Sequence, residues 1–290
     1  MNIRDLKYLV SLAEYQHFGK AAEACFVSQP ALSMQIQKLE ESLGIQLLER
    51  TNKSVLLTEE GVTIVEYAQR VLNQVEEIIE FAKSAKDPYS GELKIGIFPT
   101  LAPYFLPLIM PTVSKKFPKL KFYLIEEQTQ GLIEKLKAGK LHAAFLALPI
   151  PEKNIITMKL FDEEFLLAIS KKHALARLKI INQSDLNNKN LLLLDEGHCM
   201  REQALTFCQK INANETQNFR ATSLETLRHM VASGLGMTLM PKLACDNNKN
   251  ITYIPFHSPK PMRSIAFAWR DTTAKSSLLT EMGEYIKSIL

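Results

Sequence analysis

Two cysteines lie close together in the stretch GHCMREQALTFC, which covers residues 197–208. Cys199 follows a histidine, stands two positions before an arginine, and opens a run of good helix formers that Cys208 ends. A thiol beside basic groups can ionise, and the thiolate is the nucleophile of sulfur chemistry. If both residues lie on one helix, their Cα atoms are about 13 Å apart, whereas a disulfide requires Cα atoms within about 7 Å. A bond between these thiols would therefore require the helix to unwind.

The residues next to Cys199 predict a moderately lowered pKa for its thiol. It follows a predicted strand and lies at or just before a helix N-terminus, where backbone N–H groups and the helix dipole favour an anion. Arg201 adds a positive charge, and His198 can donate a hydrogen bond to the sulfur. Asp195 and Glu196 act in the opposite direction, so the expected lowering is moderate.

The composition is that of a globular protein with ordinary hydrophobic cores. The chain has 290 residues, of which 46% are hydrophobic and 23% charged, enough for two domains or three compact units. No apolar run approaches the roughly 18 residues that a membrane span needs, and the N-terminus lacks the pattern of a signal peptide. We therefore expect a cytoplasmic protein, in which a bonding cysteine pair is more often redox-active than structural.

Neither metal binding nor cofactor binding is expected. The four cysteines do not form a CxxC pair, and no cluster of cysteine and histidine has the spacing of a zinc site. Lone cysteines are usually small buried hydrophobic residues, and we interpret Cys25 and Cys245 in this way.

Charge does not indicate nucleic-acid binding, although the whole chain carries a net charge of +4. Residues 1–86 contain nine basic and twelve acidic residues, a net charge of −3. A strongly basic domain would point to DNA. Any prediction of DNA binding must therefore rest on the pattern of residues.

That pattern is a winged helix-turn-helix. Helices are predicted over residues 2–15, 20–25 and 29–43, and a short hairpin over residues 47–57 supplies the wing. Ser28 is a good N-cap for the third helix, Pro30 fits its first turn, and Gly44 ends it.

The polar face of the third helix can reach base edges or phosphates in a major groove, and basic residues on the wing can contact the DNA backbone. The alternative interpretation is a solvated helix pair in a small bundle, which the complete pattern disfavours. The predicted DNA-binding residues are Ser28, Gln29, Pro30, Ser33, Gln35, Lys38, Arg50 and Lys53.

A long amphipathic helix and an α/β region follow. The helix begins near Thr58, is longer than a lone helix needs, and suggests a dimerisation coil whose twofold axis pairs two DNA-reading domains. After residue 88, short apolar runs alternate with helical patterns, which predicts an α/β architecture with mostly parallel strands. Ligands of such sheets bind beyond the carboxyl ends of the strands, where Thr100 and Thr129 are predicted to lie.

The segment AAEACFVSQPALSMQIQKLEESLGIQLLER followed by LTEEG resembles LysR-type transcriptional regulators, and the resemblance covers the whole chain. It implies an α/β fold class with an N-terminal winged helix-turn-helix, a long linker helix and a periplasmic-binding-protein-like effector domain of two Rossmann-like subdomains. The predicted boundaries are 1–58 for the DNA-binding domain, 59–87 for the linker helix and 88–290 for the effector domain. Within the effector domain, subdomain I covers 88–163 and 265–290, and subdomain II covers 164–264.

Within that family, GHCMREQALTFC and FRATSLETLRHMVASGLGMTLMP look like the sensors of hydrogen peroxide. This resemblance implies an activator of oxidative-stress genes rather than an enzyme. Cys199 would be oxidised by peroxide and Cys208 would resolve it by forming a disulfide, with local refolding of the effector domain. The implied peroxide pocket consists of Thr100, Thr129, His198 and Arg201.

The resemblance also implies partners and a location. The partners are double-stranded promoter DNA, hydrogen peroxide, RNA polymerase, a thiol reductant such as a glutaredoxin, and further copies of the chain in a homodimer or homotetramer. The location is the bacterial cytoplasm, in association with the nucleoid, without a membrane partner.

Two other functions are compatible with the sequence. The crevice could bind a small metabolite, as in most LysR-type proteins, with the cysteines incidental. Alternatively, the chain could be a thiol peroxidase that works by turnover, although the DNA-binding pattern argues against it.

Overall fold

The computed structural model describes residues 1–50, 55–84, 87, 89–210 and 213–290. The chain divides into two compact units, residues 1–85 and 86–290. Within the described residues, no helix is both long enough and apolar enough to cross a membrane.

The N-terminal unit is the predicted winged helix-turn-helix followed by a long helix. Its elements are α1 (Ile3–Tyr15), α2 (Phe18–Ala24), α3 (Gln29–Leu43), β1 (Leu48–Arg50), β2 (Val55–Leu57) and α4 (Glu59–Ser84). The two wing strands pair antiparallel, with Leu48 opposite Leu57. Apolar residues at helical spacing form the core, which includes Leu9, Leu12, Leu32, Ile36 and Leu39. The predicted fold class is therefore confirmed for this unit.

The bounds of α3 follow from its capping residues. The Ser28 hydroxyl accepts a hydrogen bond from the Ala31 N–H at 3.4 Å, and Pro30 lies in the first turn. Gly44 ends the helix in the left-handed region at φ 71°, which glycine adopts without a steric penalty. Because the caps and the apolar spacing agree, the predicted bounds of this helix are confirmed.

The long helix α4 begins where predicted and exposes an apolar stripe. The Thr58 hydroxyl accepts a hydrogen bond from the Gly61 N–H at 2.9 Å. The helix has 26 residues, close to the expected length. Large side chains are exposed at Tyr67, Val71 and Ile78, and helical spacing places these three on one side of the helix. Exposed apolar surface of this kind favours pairing with another molecule, as the predicted dimerisation coil requires.

The second unit contains one connected sheet. Its strands are β3 (Gly91–Ile97), β4 (Leu120–Glu126), β5 (Ala143–Ala147), β6 (Ile155–Ser170), β7 (Asn190–Leu194), β8 (Asn214–Ala221), β9 (Met237–Pro241), β10 (Ile251–Ile254) and β11 (Met262–Arg270). The strand order is β4-β3-β5-β11-β6-β9-β7-β8, and β10 pairs with β6.

The expectation of mostly parallel strands holds only in part. Strand β3 is parallel to β4 and β5, and β7 is parallel to β8 and β9. Every pair formed by β6, β10 or β11 is antiparallel. The reason is that β6 and β11 run between the two halves of the unit in opposite directions. The first half of the long β6 does not resemble a strand in the sequence, because charged residues interrupt its apolar pattern.

Helices pack on the sheet and create two hydrophobic cores. They are α5 (Ala102–Lys116), α6 (Thr129–Lys137), α7 (Cys199–Lys210), α8 (Leu224–Ala232) and α9 (Ser276–Ser288). One core contains buried residues between 93 and 160 and between 265 and 286, and the other contains residues between 165 and 256. The domain and subdomain boundaries given above remain predictions.

Candidate functional site

A cavity of about 390 Å³ opens beside the first turn of α7. Its walls come from α6, the end of β5, the loop 195–198 and α7. Of the four predicted pocket residues, Thr129 and His198 line this cavity, together with the predicted peroxidatic residue Cys199. Thr100 and Arg201 are buried, at 2% and 6% exposure, and do not line it. Two of the four residues that the resemblance implies for the pocket therefore lie beside Cys199 at this cavity.

The loop before α7 is shaped by a glycine that approaches α6 closely. Gly197 has φ 86°, and a Cβ atom added there would lie 2.2 Å from the Gln128 side-chain oxygen. The Gln128 amide donates a hydrogen bond to the Glu196 carbonyl at 3.4 Å. Because only glycine fits this left-handed and crowded position, it sets the path that leads Cys199 to the cavity.

The pKa of the Cys199 thiol is raised, chiefly by burial. The positive charge of Arg263, the Thr129 hydroxyl and the backbone N–H groups of Cys199 and Met200 oppose this increase. The residue as a whole is half-buried because one side faces the cavity, while its sulfur is enclosed by protein atoms. The predicted lowering of the pKa was wrong, since loss of hydration around the sulfur outweighs the favourable charges.

The pKa of His198 is lowered by burial, against the raising effect of the Asp195 carboxylate. Its imidazole is therefore neutral at neutral pH, and its second ring nitrogen can accept a proton.

Arg201 does not act on the thiol as predicted. Its Nη1 and Nη2 atoms bind the two carboxylate oxygens of Glu215 at 2.7 and 2.9 Å, and Nη1 also donates to the Leu194 carbonyl at 2.9 Å. Glu215 in turn lies 3.6 Å from Nε of Arg220. The assignment of Arg201 to the thiolate is corrected accordingly: this residue ties α7 to the neighbouring strand β8.

The cation whose charge opposes the increase in the pKa of Cys199 is Arg263 on β11. Its Nη1 atom donates to the Thr100 hydroxyl at 2.9 Å, and Nη2 donates to the Thr100 carbonyl at 3.1 Å. Thr100 therefore supports this guanidinium instead of lining the cavity. Arg263 was missed in the sequence, where its one signal is a charged residue inside a strand pattern.

Two buried polar atoms at the cavity lack a hydrogen-bond partner among the described residues, namely Thr129 Oγ1 and Gln203 Oε1. The Thr129 hydroxyl lies close enough to the Cys199 sulfur to lower its pKa, but without the geometry of a normal hydrogen bond. Buried polar groups are rarely left unpaired. A small polar molecule in the cavity could satisfy both, and Gln203 is a second residue that sequence reasoning missed.

Cys208 lies at the other end of the same helix, away from the cavity. It is 3% exposed and packs in the second core beside Phe207. Burial, together with the Glu215 charge, raises its pKa to about 11. Both thiols are free and α7 is continuous between them, so helical geometry separates their Cα atoms by about 13 Å.

The exposed face of α3 carries most of the predicted DNA contacts. Ser28, Gln29, Pro30 and Lys38 are exposed, while Ser33 and Gln35 are half-buried. Arg50 ends the first wing strand, but its side chain lies outside what the structure describes, and Lys53 lies outside the described residues altogether.

Glu215→Gln should loosen α7. The buried Arg201 guanidinium would lose its charged partner, which costs about 2 to 4 kcal/mol for a largely buried pair. We expect faster amide hydrogen exchange over residues 199–210, measured by mass spectrometry. Glu196→Gln is the matched control, because it removes an exposed partner of Arg220 and should leave that exchange unchanged. Equal protection of α7 in Glu215→Gln and the unsubstituted protein would contradict this role of the ion pair.

In the described parts of the chain, no group of three or more His, Cys, Asp or Glu side chains is arranged to hold a metal ion.

Two family models match the chain. Residues 3–62 match the family described as "Bacterial regulatory helix-turn-helix protein, lysR family". Residues 86–289 match the family described as "LysR substrate binding domain".

Known proteins similar to this chain are named for the response to peroxide. The "DNA-binding transcriptional dual regulator OxyR" of Escherichia coli K12 is 45% identical over 291 residues, which covers 99% of this chain and 95% of that protein. A "Hydrogen peroxide-inducible genes activator" of Dickeya chrysanthemi is 48% identical over 273 residues, covering 93% and 90%. The structure of a full-length OxyR variant from Pseudomonas aeruginosa superposes with a TM-score of 0.80 at 39% identity, covering 99% and 95%.

Proposed function

The chain belongs to the LysR family of transcriptional regulators, and from that membership we propose how it is switched. It is a peroxide-responsive transcriptional activator of the OxyR type. We propose that hydrogen peroxide oxidises Cys199 and that a disulfide with Cys208 changes the effector domain. The observation that carries this proposal is that Cys199 opens α7 at the cavity, while Cys208 is buried on the same helix.

The first step oxidises Cys199 to a sulfenic acid. The thiol loses its proton, and the neutral His198 imidazole in the same cavity is available to accept it. The thiolate attacks one peroxide oxygen, so that an S–O bond forms and the O–O bond breaks. The leaving hydroxide takes a proton and departs as water. The unpaired Thr129 and Gln203 oxygens can accept hydrogen bonds from the two peroxide O–H groups, which would hold the peroxide near the sulfur.

The second step converts the sulfenic acid to a disulfide. The Cys208 thiolate attacks the Cys199 sulfur, an S–S bond forms, and the hydroxyl group leaves as water. A separation of about 13 Å along a helix forbids this bond while α7 is intact. Unwinding of α7 therefore accompanies the oxidation and breaks the contacts of Arg201 with β8. We propose that this change of structure is the transcriptional signal.

Resetting the switch requires a dithiol reductant such as a glutaredoxin, which reforms both thiols as it becomes a disulfide itself. The proposal also includes recruitment of RNA polymerase and assembly into a homodimer or homotetramer. The exposed apolar stripe of α4 supports the assembly. A regulator of this kind acts in the bacterial cytoplasm, at the nucleoid. Its family is one of regulators and not of enzymes.

A tryptic disulfide map tests the proposed bond. Trypsin cuts after Arg201 and so separates residues 190–201, which contain Cys199, from residues 202–210, which contain Cys208. After a brief peroxide pulse we expect these two peptides joined by a disulfide. A pulse that oxidises Cys199 yet never yields the joined pair would refute the bond.

The reaction of Cys199 with peroxide should accelerate as the pH rises. Only the thiolate attacks peroxide, and burial raises the pKa of this thiol above its ordinary value of about 9. The thiolate fraction is therefore small at neutral pH and increases through the mildly alkaline range. Stopped-flow measurement of sulfenic acid formation across a pH series checks this. A rate that stays constant from neutral pH upward would contradict a raised pKa.

The exposed face of α3 is proposed to enter the major groove, and Lys38→Ala tests it. Loss of one phosphate contact should weaken binding to all sequences alike and reduce the salt slope of binding by about one. Fluorescence anisotropy with a duplex selected by the unsubstituted protein measures both quantities. Lys7→Ala removes an exposed lysine from α1 and serves as the control, with no expected change. Equal effects of both substitutions would count against this docking mode.

A further inference from the structure

A buried ion pair lies where the two halves of the effector unit meet. Glu163 on β6 stands directly opposite Arg263 on β11 in the antiparallel register. Their side chains are 2% and 0% exposed. Charged groups are buried this deeply only when they are paired and hydrogen-bonded, so the arrangement of each group constrains the other.

Both oxygens of the Glu163 carboxylate are used. Oε2 accepts from Nε of Arg263 at 2.7 Å and lies 2.7 Å from its Nη2 atom. Oε1 accepts from the Leu243 N–H at 3.0 Å. Oε1 of the carboxylate is thus fixed by a backbone N–H, and Oε2 binds one edge of the guanidinium.

Thr100 binds the opposite edge of the guanidinium. Nη1 donates to the Thr100 hydroxyl at 2.9 Å, and the ring of Phe98 covers the guanidinium with its centroid 5.2 Å away. Arg263 is therefore held from both edges and one face. It lies next to the strand end that forms the cavity wall, because the carbonyl of the adjacent Ser264 accepts a hydrogen bond at 2.9 Å from the N–H of Leu148, which lines the cavity. Its positive charge favours the Cys199 thiolate.

We propose that Glu163 is a positioning residue for the peroxide reaction of Cys199. Its carboxylate orients the Arg263 guanidinium near the thiol and balances part of its positive charge, so that the reactivity of Cys199 is set below its maximum. The inference rests on the proposed function above and adds a residue that does not touch the peroxide itself. Its effect on the sulfur passes through Arg263.

Other groups around the thiol can contribute to its titration. His198 and Asp195 lie in the loop before α7, and Glu202 lies on α7 at the cavity. Among the acidic groups that the structure describes, Glu163 is the one in direct contact with Arg263. A substitution at Glu163 therefore changes the charge balance of that guanidinium while leaving the cavity walls in place.

Glu163→Gln should make Cys199 more reactive. The amide keeps the shape of the side chain but removes its negative charge, so the field of Arg263 at the sulfur is no longer balanced. We expect the pH midpoint of Cys199 alkylation by iodoacetamide to fall by about 1 unit. A lower pKa increases the thiolate fraction at neutral pH, but a thiolate of lower pKa is also a weaker nucleophile. Oxidation by peroxide at neutral pH should therefore accelerate only about threefold. Both rates are read from tryptic peptide 190–201 of the full-length protein.

Glu164→Gln is the matched control. It removes a carboxylate from the adjacent position, where Glu164 binds Lys260 at 2.8 Å near the surface, and the midpoint should stay unchanged. An unchanged or higher midpoint in Glu163→Gln would overturn the proposal.

A double variant keeps the test decisive if Glu163→Gln does not fold. Glu163→Gln with Arg263→Gln removes both buried charges together, which is tolerated far better than breaking such a pair. Its midpoint should lie above that of the unsubstituted protein, and an equal or lower midpoint would overturn the proposal. Alkylation needs no peroxide, so a failure of peroxide sensing and a failure of this inference give different results.

Discussion

Cys199→Ser should abolish peroxide-dependent transcription. A serine hydroxyl stays protonated at neutral pH and does not attack the O–O bond, so we expect oxidation at this position to fall by at least about a thousandfold. Transcription from a promoter that the protein binds should then remain at its unoxidised level at every peroxide concentration. Transcription in vitro with purified protein, polymerase and a peroxide series measures this.

Cys245→Ser is the matched control for that experiment. Cys245 is half-buried, burial raises its pKa to about 12, and its thiol donates to the Pro241 carbonyl at 3.5 Å. This thiol is protonated at neutral pH and is held in a hydrogen bond, so it should not react with peroxide. The Cys245→Ser variant should therefore respond as the unsubstituted protein does. A normal response in Cys199→Ser would remove this residue from the mechanism.

Cys208→Ser should separate oxidation from signalling. Cys199 still reacts with peroxide, because Cys208 lies in the second core and not at the cavity. The reaction stops at the sulfenic acid, since no thiol is available to form the disulfide. Without that bond nothing forces α7 to unwind, and we expect the transcriptional response to fall at least about tenfold.

Dimedone labelling of peptide 190–201 measures the sulfenic acid, and the same digest shows that the joined peptides are missing. Cys25→Ser, which changes a thiol of the N-terminal unit, is the control for general effects of losing a cysteine. A full transcriptional response in Cys208→Ser, with the sulfenic acid as the final product, would show that the disulfide is not the signal.

The DNA-binding unit could be predicted well because its signals are local. Ser28, Pro30 and Gly44 each act through backbone groups a few residues away, so their types and spacing fix the ends of α3 without reference to the rest of the chain. The long strand β6 was harder to predict from the sequence. Its first half carries charged residues, and only the paired Arg263, a hundred positions further on, makes a buried Glu163 tolerable.

The cavity could be predicted only in part. Strand ends bring Thr129 and Cys199 together by general rules of α/β sheets. Arg201 was assigned to the thiol because it is near in sequence, yet two residues along a helix correspond to a rotation of about 200°. The side chain therefore points toward β8, where Glu215 binds it. Arg263 could not be found by neighbourhood, since pairing of distant strands carries it to the site.

The pKa of Cys199 illustrates a further limit. The position of Cys199 at the start of a helix was visible in the sequence, and the backbone N–H groups of Cys199 and Met200 act in the predicted direction. The charge that acts is that of the distant Arg263 and not that of Arg201. The extent to which packing removes water from the sulfur depends on side chains from several distant segments, and that effect is the largest.

Hydrogen exchange over residues 199–210, followed after a peroxide pulse alongside the tryptic disulfide map, tests the central claim most directly. We predict that amide protection of α7 is lost in step with the joining of peptides 190–201 and 202–210, and that it is retained in Cys208→Ser. A protein in which the bridge forms completely while α7 keeps its protection would contradict the proposed coupling between sulfur oxidation and refolding.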